Sequence, residues 1–228
     1  MRCANPKCSK QRPSGFISRL VSCDEGIVRE NLWYCDESCF RRVVLSDYFK
    51  RKSSGSELRT STYPMSSRDF GAALLRSGKL SWSHIEEALE ARRGNGRMPL
   101  AHYLLQKGLI DRHDILEALS RHHKVPLAKM GTRELDDRMI GLIPAQIARQ
   151  SGAIPIALDR TTGKISLLMR DPSDLTTMLA VKRLTGYETQ AYQGDPAEIL
   201  GLLERYYPKE AAPRPKTDKG NQRLAVAQ

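Results

Sequence analysis

The feature that most constrains this chain is an internal repeat between residues 69 and 126. The segment DFGAALLRSGKL at 69–80 is similar to PLAHYLLQKGLI at 99–110. The next segment, SWSHIEEAL at 81–89, is similar to DRHDILEAL at 111–119, and both pairs align at an offset of 30 residues without a gap. Each copy predicts a helix that ends at Gly78 or Gly108, where glycine can adopt positive φ. A second helix follows, capped by Ser81 or Asp111. Since one hairpin is too small to bury its own apolar stripe, we expect the two copies to pack as a four-helix unit.

After Pro126 the hydrophobic period changes, and residues 127–208 predict an α+β subdomain. The pattern favours a small sheet with helices on one face, because strand, strand, helix, strand and helix follow each other in that order. Pro144 is placed to stand in the first turn of a short helix. The expected elements are short helices at 136–143 and 144–151, strands at 153–158, 164–169 and 188–192, and helices at 175–185 and 196–207.

These residues together carry a family resemblance. Twice the chain has the sequence Leu-Leu-x-x-Gly-x-Leu/Ile, followed by four residues, Ile, two further residues and Ala-Leu. The matching motifs further on lie at 142–144, 153–156, 168–174, 184–186 and 206–208. Over roughly residues 68–208 the chain resembles the N-terminal domain of the type II secretion and type IV pilus assembly ATPases, the GspE N-terminal family. In that family the domain couples the motor to membrane-platform components or to a second messenger, so the resemblance implies an adaptor.

The resembled ATPases carry a phosphate-binding loop, and the sequence provides no match to it. At Gly163-Lys164 the motif would need glycine at 158, which is Leu158, and serine or threonine at 165, which is Ile165. No catalytic constellation of nucleophile and base, or of metal and water, is evident. We therefore expect a non-enzymatic protein with the adaptor part of the family and without its ATPase engine. Its expected partner is a secretion or pilus ATPase, or a component of the membrane platform.

MshE-type members of the resembled family bind cyclic di-GMP through tandem motifs that begin Arg-Leu-Gly and end in Gln. Arginine can pair with a phosphate or a guanine edge, and leucine can pack on a base face. The aligned positions here depart from that pattern: Asp69 and Pro99 stand in place of the arginines, and an acidic Asp69 would repel a phosphate. Arg68, one residue before Asp69, and Arg97, two residues before Pro99, could replace the missing arginines. The leucines of the motifs are also explained as core residues of the helical unit. The candidate ligand-binding residues are Arg68, Phe70, Gly71, Arg92, Arg97, Leu100 and His122.

All five cysteines lie in the first 39 residues, and four of them form two close pairs, Cys3 with Cys8 and Cys35 with Cys39. Two such pairs separated by a few tens of residues provide the four thiolates of a tetrahedral Zn²⁺ site. Strand-like stretches at 16–22 and 27–34, followed by a helix over 36–52, resemble a treble-clef finger. Four cysteines leave no open position for water, so the predicted site is structural. Cys23 is left either as a small buried hydrophobe or as a replacement ligand.

Charge and composition bound the remaining possibilities. The formal net charge is +11, with the basic excess mainly at the two ends of the chain and none in residues 127–208. A zinc-finger nucleic-acid-binding regulator is therefore the alternative function. It would use the finger's basic residues Arg12, Arg19, Arg41, Arg42, Lys50, Arg51 and Lys52. No apolar run is long enough to span a membrane and no signal peptide is evident. We expect a cytoplasmic protein, peripheral at the inner membrane through a partner.

The expected organisation has five parts. A zinc-finger-like module occupies residues 1–52 and a serine-rich flexible linker residues 53–67. The tandem helical repeat covers 68–126, the α+β subdomain 127–208, and a disordered basic tail 209–228.

Overall fold

The protein is described by a computed structural model over residues 2–11, 26–54, 66–94 and 99–208, with the backbone alone at 92–94. Several sequence predictions fall outside these residues. They are Arg12 and Arg19 of the basic set, the strand-like stretch at 16–22, Cys23, the side chain of Arg92, Arg97, most of the linker, and the basic tail.

The N-terminal part consists of a short hairpin and a long helix. Strand β1 (Ile27–Arg29) pairs antiparallel with β2 (Leu32–Tyr34), and helix α1 (Glu37–Ser54) follows. Glu30 and Asn31 link the strands with φ of 53° and 62°. Such positive values at both central residues are those of the tight turn that suits the twist of a hairpin. The hairpin therefore lies wholly within 27–34, a segment that the sequence pattern presented as one strand-like stretch.

The repeat forms four helices: α2 (Ser67–Arg76), α3 (Trp82–Gly94), α4 (Leu100–Gln106) and α5 (Arg112–His123). Gly78 and Gly108 have φ of 71° and 66°, which confirms the predicted helix stops. Asp111 caps α5 as expected, because its carboxylate accepts from the backbone N–H of Asp114 at 2.8 Å. The Asp114 carboxylate in turn accepts from the backbone N–H of Asp111, at 3.0 Å, which completes a reciprocal cap.

The two copies of the repeat share one core, as predicted. Helix α2 packs against α5 and α4, and α3 packs against α4, so each copy covers the other. Leu74 and Leu104, at equivalent positions of the two copies, are fully buried in this core, as are Ile115 and Leu119.

The α+β subdomain has a three-stranded sheet in the order β3 (Ala153–Asp159), β4 (Lys164–Met169), β5 (Glu188–Gln193). Strands β3 and β4 are antiparallel, whereas β4 and β5 are parallel and joined by helix α8 (Leu175–Thr185). Three helices complete it: α6 (Asp137–Ile140), α7 (Ala145–Ser151) and α9 (Pro196–Tyr206). Helix α6 is shorter than the predicted 136–143, and Pro144 is the residue before α7 rather than part of its first turn.

The expectation of helices on one face of this sheet needs correction. Successive residues of a strand point to opposite faces, yet Leu167, Leu168 and Met169 of the central strand are all 0% exposed. Both faces of the sheet are therefore covered at the end of β4. The first half of the strand still alternates, with Lys164 exposed and Ser166 half-buried, and only residues 167–169 form the apolar run of a strand buried on both sides.

The part of the chain that the structure describes contains no helix long and apolar enough to cross a membrane.

Candidate metal centre

Four cysteines from three separate segments converge at one end of the N-terminal part. Cys3 and Cys8 lie in a loop closed by a β-bridge between Arg2 and Gln11 and by the bond from the Cys3 N–H to the Lys10 carbonyl, 3.0 Å. Cys35 directly follows β2, and Cys39 lies in the first turn of α1. The hairpin and the helix thus deliver one pair, and the N-terminal loop delivers the other.

The geometry of the four sulfur atoms fits a tetrahedral metal ion. All four lie within 4.8 Å of one another, and all four cysteines are free. The Cys8 and Cys35 sulfurs are 3.7 Å apart and those of Cys35 and Cys39 are 3.4 Å apart. Thiolates bound to Zn²⁺ at about 2.3 Å would be separated by about 3.8 Å along each edge of the tetrahedron. A disulfide would instead require a separation of about 2.0 Å.

The polar residues around the cluster form hydrogen bonds that hold the cysteines in place. Asn5, which is 4% exposed, donates from Nδ2 to the Cys39 sulfur at 3.3 Å, and its carbonyl accepts from the Cys8 N–H at 2.9 Å. Asp36 accepts from the Cys39 N–H at 2.8 Å and from the Ser38 hydroxyl at 2.7 Å. These bonds link the loop to the start of α1. The sequence pattern placed Asn5 in the loop and Asp36 at the start of the helix but did not identify either as a partner of the cysteines, although Asp36 stands three residues before Cys39, where an N-cap residue is expected.

The thiols and their neighbours have displaced pKa values with clear causes. Burial raises the pKa of the Cys35 thiol, as do the adjacent Cys39 and Asp36 side chains, and burial also raises that of Cys39. Burial acts in the same direction on Cys3, but hydrogen bonds from the backbone of Cys35 and Asn5 leave its pKa below the usual value. Hydrogen bonds from Ser38 and Cys39 lower the pKa of Asp36 to about 2. A bound cation would favour the thiolate form of all four cysteines.

The candidate metal module, residues 2–11 and 26–54, is not separate from the rest of the molecule, because α1 packs against α8 of the sheet subdomain. Phe40, Val44 and Tyr48 of α1 are at most 2% exposed and belong to the same apolar core as the sheet. The rings of Tyr34 and Phe40 meet edge to face at 5.2 Å, between the hairpin and the helix. The cysteine cluster therefore lies at the end of a helix that forms part of the subdomain core.

Ion pairs surround this contact. Arg183 of α8 binds both carboxylate oxygens of Glu30, at 2.6 and 2.8 Å, and one of Asp47, at 3.2 Å. Lys52, at the end of α1, lies 2.5 Å from Asp174 at the start of α8. Arg183 thus connects the hairpin and α1 to the subdomain with a two-pronged guanidinium contact. Sequence reasoning missed this role, since nothing local in the sequence marks Arg183 as the partner of residues more than 130 positions away.

Of the described residues expected to bind cyclic di-GMP, some lie in the core of the helical unit and others are exposed on its surface. Phe70 and Leu100 are 3% and 2% exposed in the core of the helical unit, and Gly71 lies beside Leu100 in the same core. Arg68 is exposed in the first turn of α2, and His122 is exposed near the end of α5. The assignment of these residues as ligands stays a prediction.

Comparison with known proteins identifies the class of domain. Residues 123–213 match the MshEN domain. The chain is 31% identical over 150 residues to the type IV pilus assembly ATPase PilB of Thermus thermophilus, and 26% identical over 137 residues to PilB of Myxococcus xanthus. These alignments cover 66% and 60% of the chain but 17% and 24% of the relatives, so the chain spans less than a quarter of their length.

Two solved structures are similar over most of their own length. A structure of MshE with cdg is 24% identical, covers 60% of this chain and 98% of that one, and has a TM-score of 0.49. The N-terminal domain of XpsE is 27% identical, covers 63% and 97%, and has a TM-score of 0.41. The match of residues 123–213 to the MshEN domain and the similarity to the two pilus assembly ATPases confirm the resemblance read from the sequence.

Proposed function

We propose that this protein is a non-enzymatic adaptor of a type IV pilus or type II secretion system, which docks on the assembly through its MshEN-related part. The observation that carries the proposal is the match to PilB over two thirds of the chain, together with the MshEN domain at its C-terminal side. The adaptor would act in the cytoplasm, and at the inner membrane through its partner. That partner is the motor ATPase of the system or a component of its membrane platform.

Within this proposal, Cys3, Cys8, Cys35 and Cys39 bind one structural Zn²⁺ in a treble-clef-like module. The support is the mutual proximity of the four free thiols, within 4.8 Å, and their order along the chain: loop, hairpin, then first turn of a helix. The ion would cross-link a segment with little apolar mass of its own and so stabilise it. The module serves the subdomain on which it rests, because its helix supplies Tyr48 to the shared core.

Cyclic di-GMP is the ligand to test on the helical repeat, on the strength of the resemblance to MshE-type domains. The exposed Arg68 stands beside Asp69, whose charge opposes a phosphate. Calorimetric titration of the full chain with cyclic di-GMP measures this part directly. Saturable heat that an Arg68→Ala substitution weakens supports a messenger site, whereas absence of heat removes the messenger and leaves the docking function in place.

The docking function is tested by cross-linking a tagged full-length chain in its native host and identifying the captured proteins. The adaptor proposal expects enrichment of a pilus or secretion ATPase or of a platform protein, and this enrichment must survive nuclease treatment. Capture that nuclease abolishes would contradict the proposal and favour the nucleic-acid-binding alternative. Lys52 and Arg41 already lie against Asp174 and Glu37, which leaves fewer free cations on α1 for a phosphate backbone.

A further inference from the structure

A cavity of about 430 Å³ opens between α6 and the turn end of the sheet. Its floor is formed by five half-buried apolar side chains that rest on the subdomain core: Met139, Leu142, Ile156, Leu158 and Tyr187. The volume lies in the range of sites that hold a small ligand or one large side chain of a partner. The cavity lies in the sheet subdomain, away from the cysteine cluster and from the helical repeat.

Three exposed arginines stand around this cavity. Arg133 precedes α6, Arg138 lies within it, and Arg160 belongs to the turn between β3 and β4. Among the described residues none of these guanidinium groups takes part in an ion pair or a side-chain hydrogen bond. The lining holds these three arginines against two carboxylates, Glu134 and Asp136, so one positive charge is left over and favours a ligand that carries negative charge.

The two carboxylates of the cavity wall are already engaged. Glu134 lies 2.8 Å from Arg205, and Asp136 accepts from the backbone N–H of Arg138 at 2.8 Å as the cap of α6. They neutralise the three arginines only in part.

The cavity also reaches the edge of the sheet. Within the described chain β3 pairs with β4 alone, so its other side is an edge. Three consecutive residues of that strand, 156–158, line the cavity. The pairing of β3 is irregular between Pro155 and Ala157, so an extended peptide would add main-chain hydrogen bonds along 157–159 and insert a side chain into the adjacent pocket.

We propose that this cavity binds an extended acidic segment of a partner protein, with one apolar side chain of that segment inserted on the floor. The inference rests on the proposed docking function and names the chemistry of the partner. The three arginines lie at separate points around the opening. A segment with carboxylates before and after its apolar residue could therefore pair with more than one of them. A nucleotide would concentrate its charge at one point and could not pair with β3.

The test presents the full-length chain with an array of synthetic peptides that carry one Phe, Leu, Tyr or Trp between two acidic residues on each side. Each peptide has a neutral twin with Asn and Gln in place of the acids. The variant R133Q/R138Q/R160Q removes the cavity's charge, and R42Q/R51Q/R76Q is its control. The control removes the same charge from exposed arginines that lie outside the cavity and in no ion pair among the described residues.

Acidic peptides are expected to bind about tenfold more tightly than their neutral twins, since three exposed charge contacts together contribute about 1.4 kcal/mol. The cavity variant should lose this preference while the control keeps it. Equal binding of acidic and neutral peptides would overturn the inference, as would equal weakening in both variants or binding of nucleotides alone. Capture of a pilus or secretion component by the cavity variant at the wild-type level would overturn it as well, and would leave the docking function standing.

Discussion

The hydroxyl groups of Tyr48 and Thr177, 129 positions apart in the sequence, lie 3.4 Å from each other in the buried contact between α1 and α8. Thr177 is also tied to Asp174, whose carboxylate lies 2.5 Å from Lys52. Because α1 begins at the cysteine cluster and ends at this contact, the metal module and the sheet subdomain share one core. Stability of one should depend on the other.

Substitution of Cys39 by Ser should release the metal and destabilise the sheet subdomain as well. Loss of one of four ligands leaves α1 without its anchor, and removal of a structural metal site costs several kcal/mol. At 2–4 °C per kcal/mol for a chain of this size, we expect Tm to fall by about 10 °C. Metal content by mass spectrometry and thermal unfolding by circular dichroism measure the two effects.

Cys23→Ser is the control for that measurement, since Cys23 is not one of the four proposed ligands. This variant is expected to retain one zinc ion per chain. An apo Cys23→Ser protein would show that the ligand set is assigned wrongly.

Replacement of Tyr48 by Ala should unfold the protein at lower urea concentration, with a cost of about 3–5 kcal/mol for the lost aromatic core residue. Tyr48→Phe keeps the packing and removes the hydroxyl with its contacts to Thr177 and Ser151, so its cost should be about 1 kcal/mol. Urea titration monitored by fluorescence gives both values. Similar stabilities for Tyr48→Ala and the wild type would mean that α1 does not contribute to the subdomain core.

Gly108→Ala should destabilise the helical repeat through backbone strain alone. The residue has a φ of 66°, and a Cβ placed there would meet no atom within 4 Å. The expected cost is about 1–2 kcal/mol. Gly71→Ala is the matched comparison, because that glycine lies inside α2 with ordinary contacts of 3.5 Å to Leu100, and alanine should be neutral or stabilising there. If Gly108→Ala left the free energy of unfolding unchanged while Gly71→Ala lowered it, the prediction would be wrong.

The repeat should also lose stability in acid through Asp114. Hydrogen bonds from the Lys79 ammonium, 2.9 Å away, and from the Asp111 backbone lower the pKa of this carboxyl in the folded chain. A folded pKa below the unfolded value of about 3.9 means that the contribution is complete above pH 4 and disappears as the pH falls further. Hydrogen exchange of α5 amides between about pH 5 and pH 2.5 should show the loss.

Asp114→Asn is the control for the acid effect. The asparagine amide keeps the shape of the side chain but has no charge to titrate. The backbone amides of α5 in this variant should therefore be less protected from exchange at pH 5, and their protection should vary less between pH 5 and pH 2.5. An unchanged pH profile in Asp114→Asn would assign the acid sensitivity to another group.

Local sequence was sufficient for the features that depend on neighbours along the chain. The glycine stops at 78 and 108, the Asp111 cap and the strands of the sheet subdomain all lie where the pattern predicted them, because backbone preference and hydrophobic period act over a few residues. The four-cysteine cluster was also readable, since two close pairs at a suitable separation have few other uses. The error about the sheet faces arose at residues 167–169, where three apolar residues in a row left open what would cover each side of β4.

By itself, then, the sequence determined the tandem hairpins, the set of four thiols and the relationship to the pilus and secretion ATPases. Only the tertiary structure decided that α1 rests on α8, that Arg183 binds Glu30 and Asp47, and that three arginines surround one cavity. The physical reason is that these contacts join residues far apart in the chain. Their partners follow from how whole elements bury their apolar faces against each other, and no local preference encodes that choice.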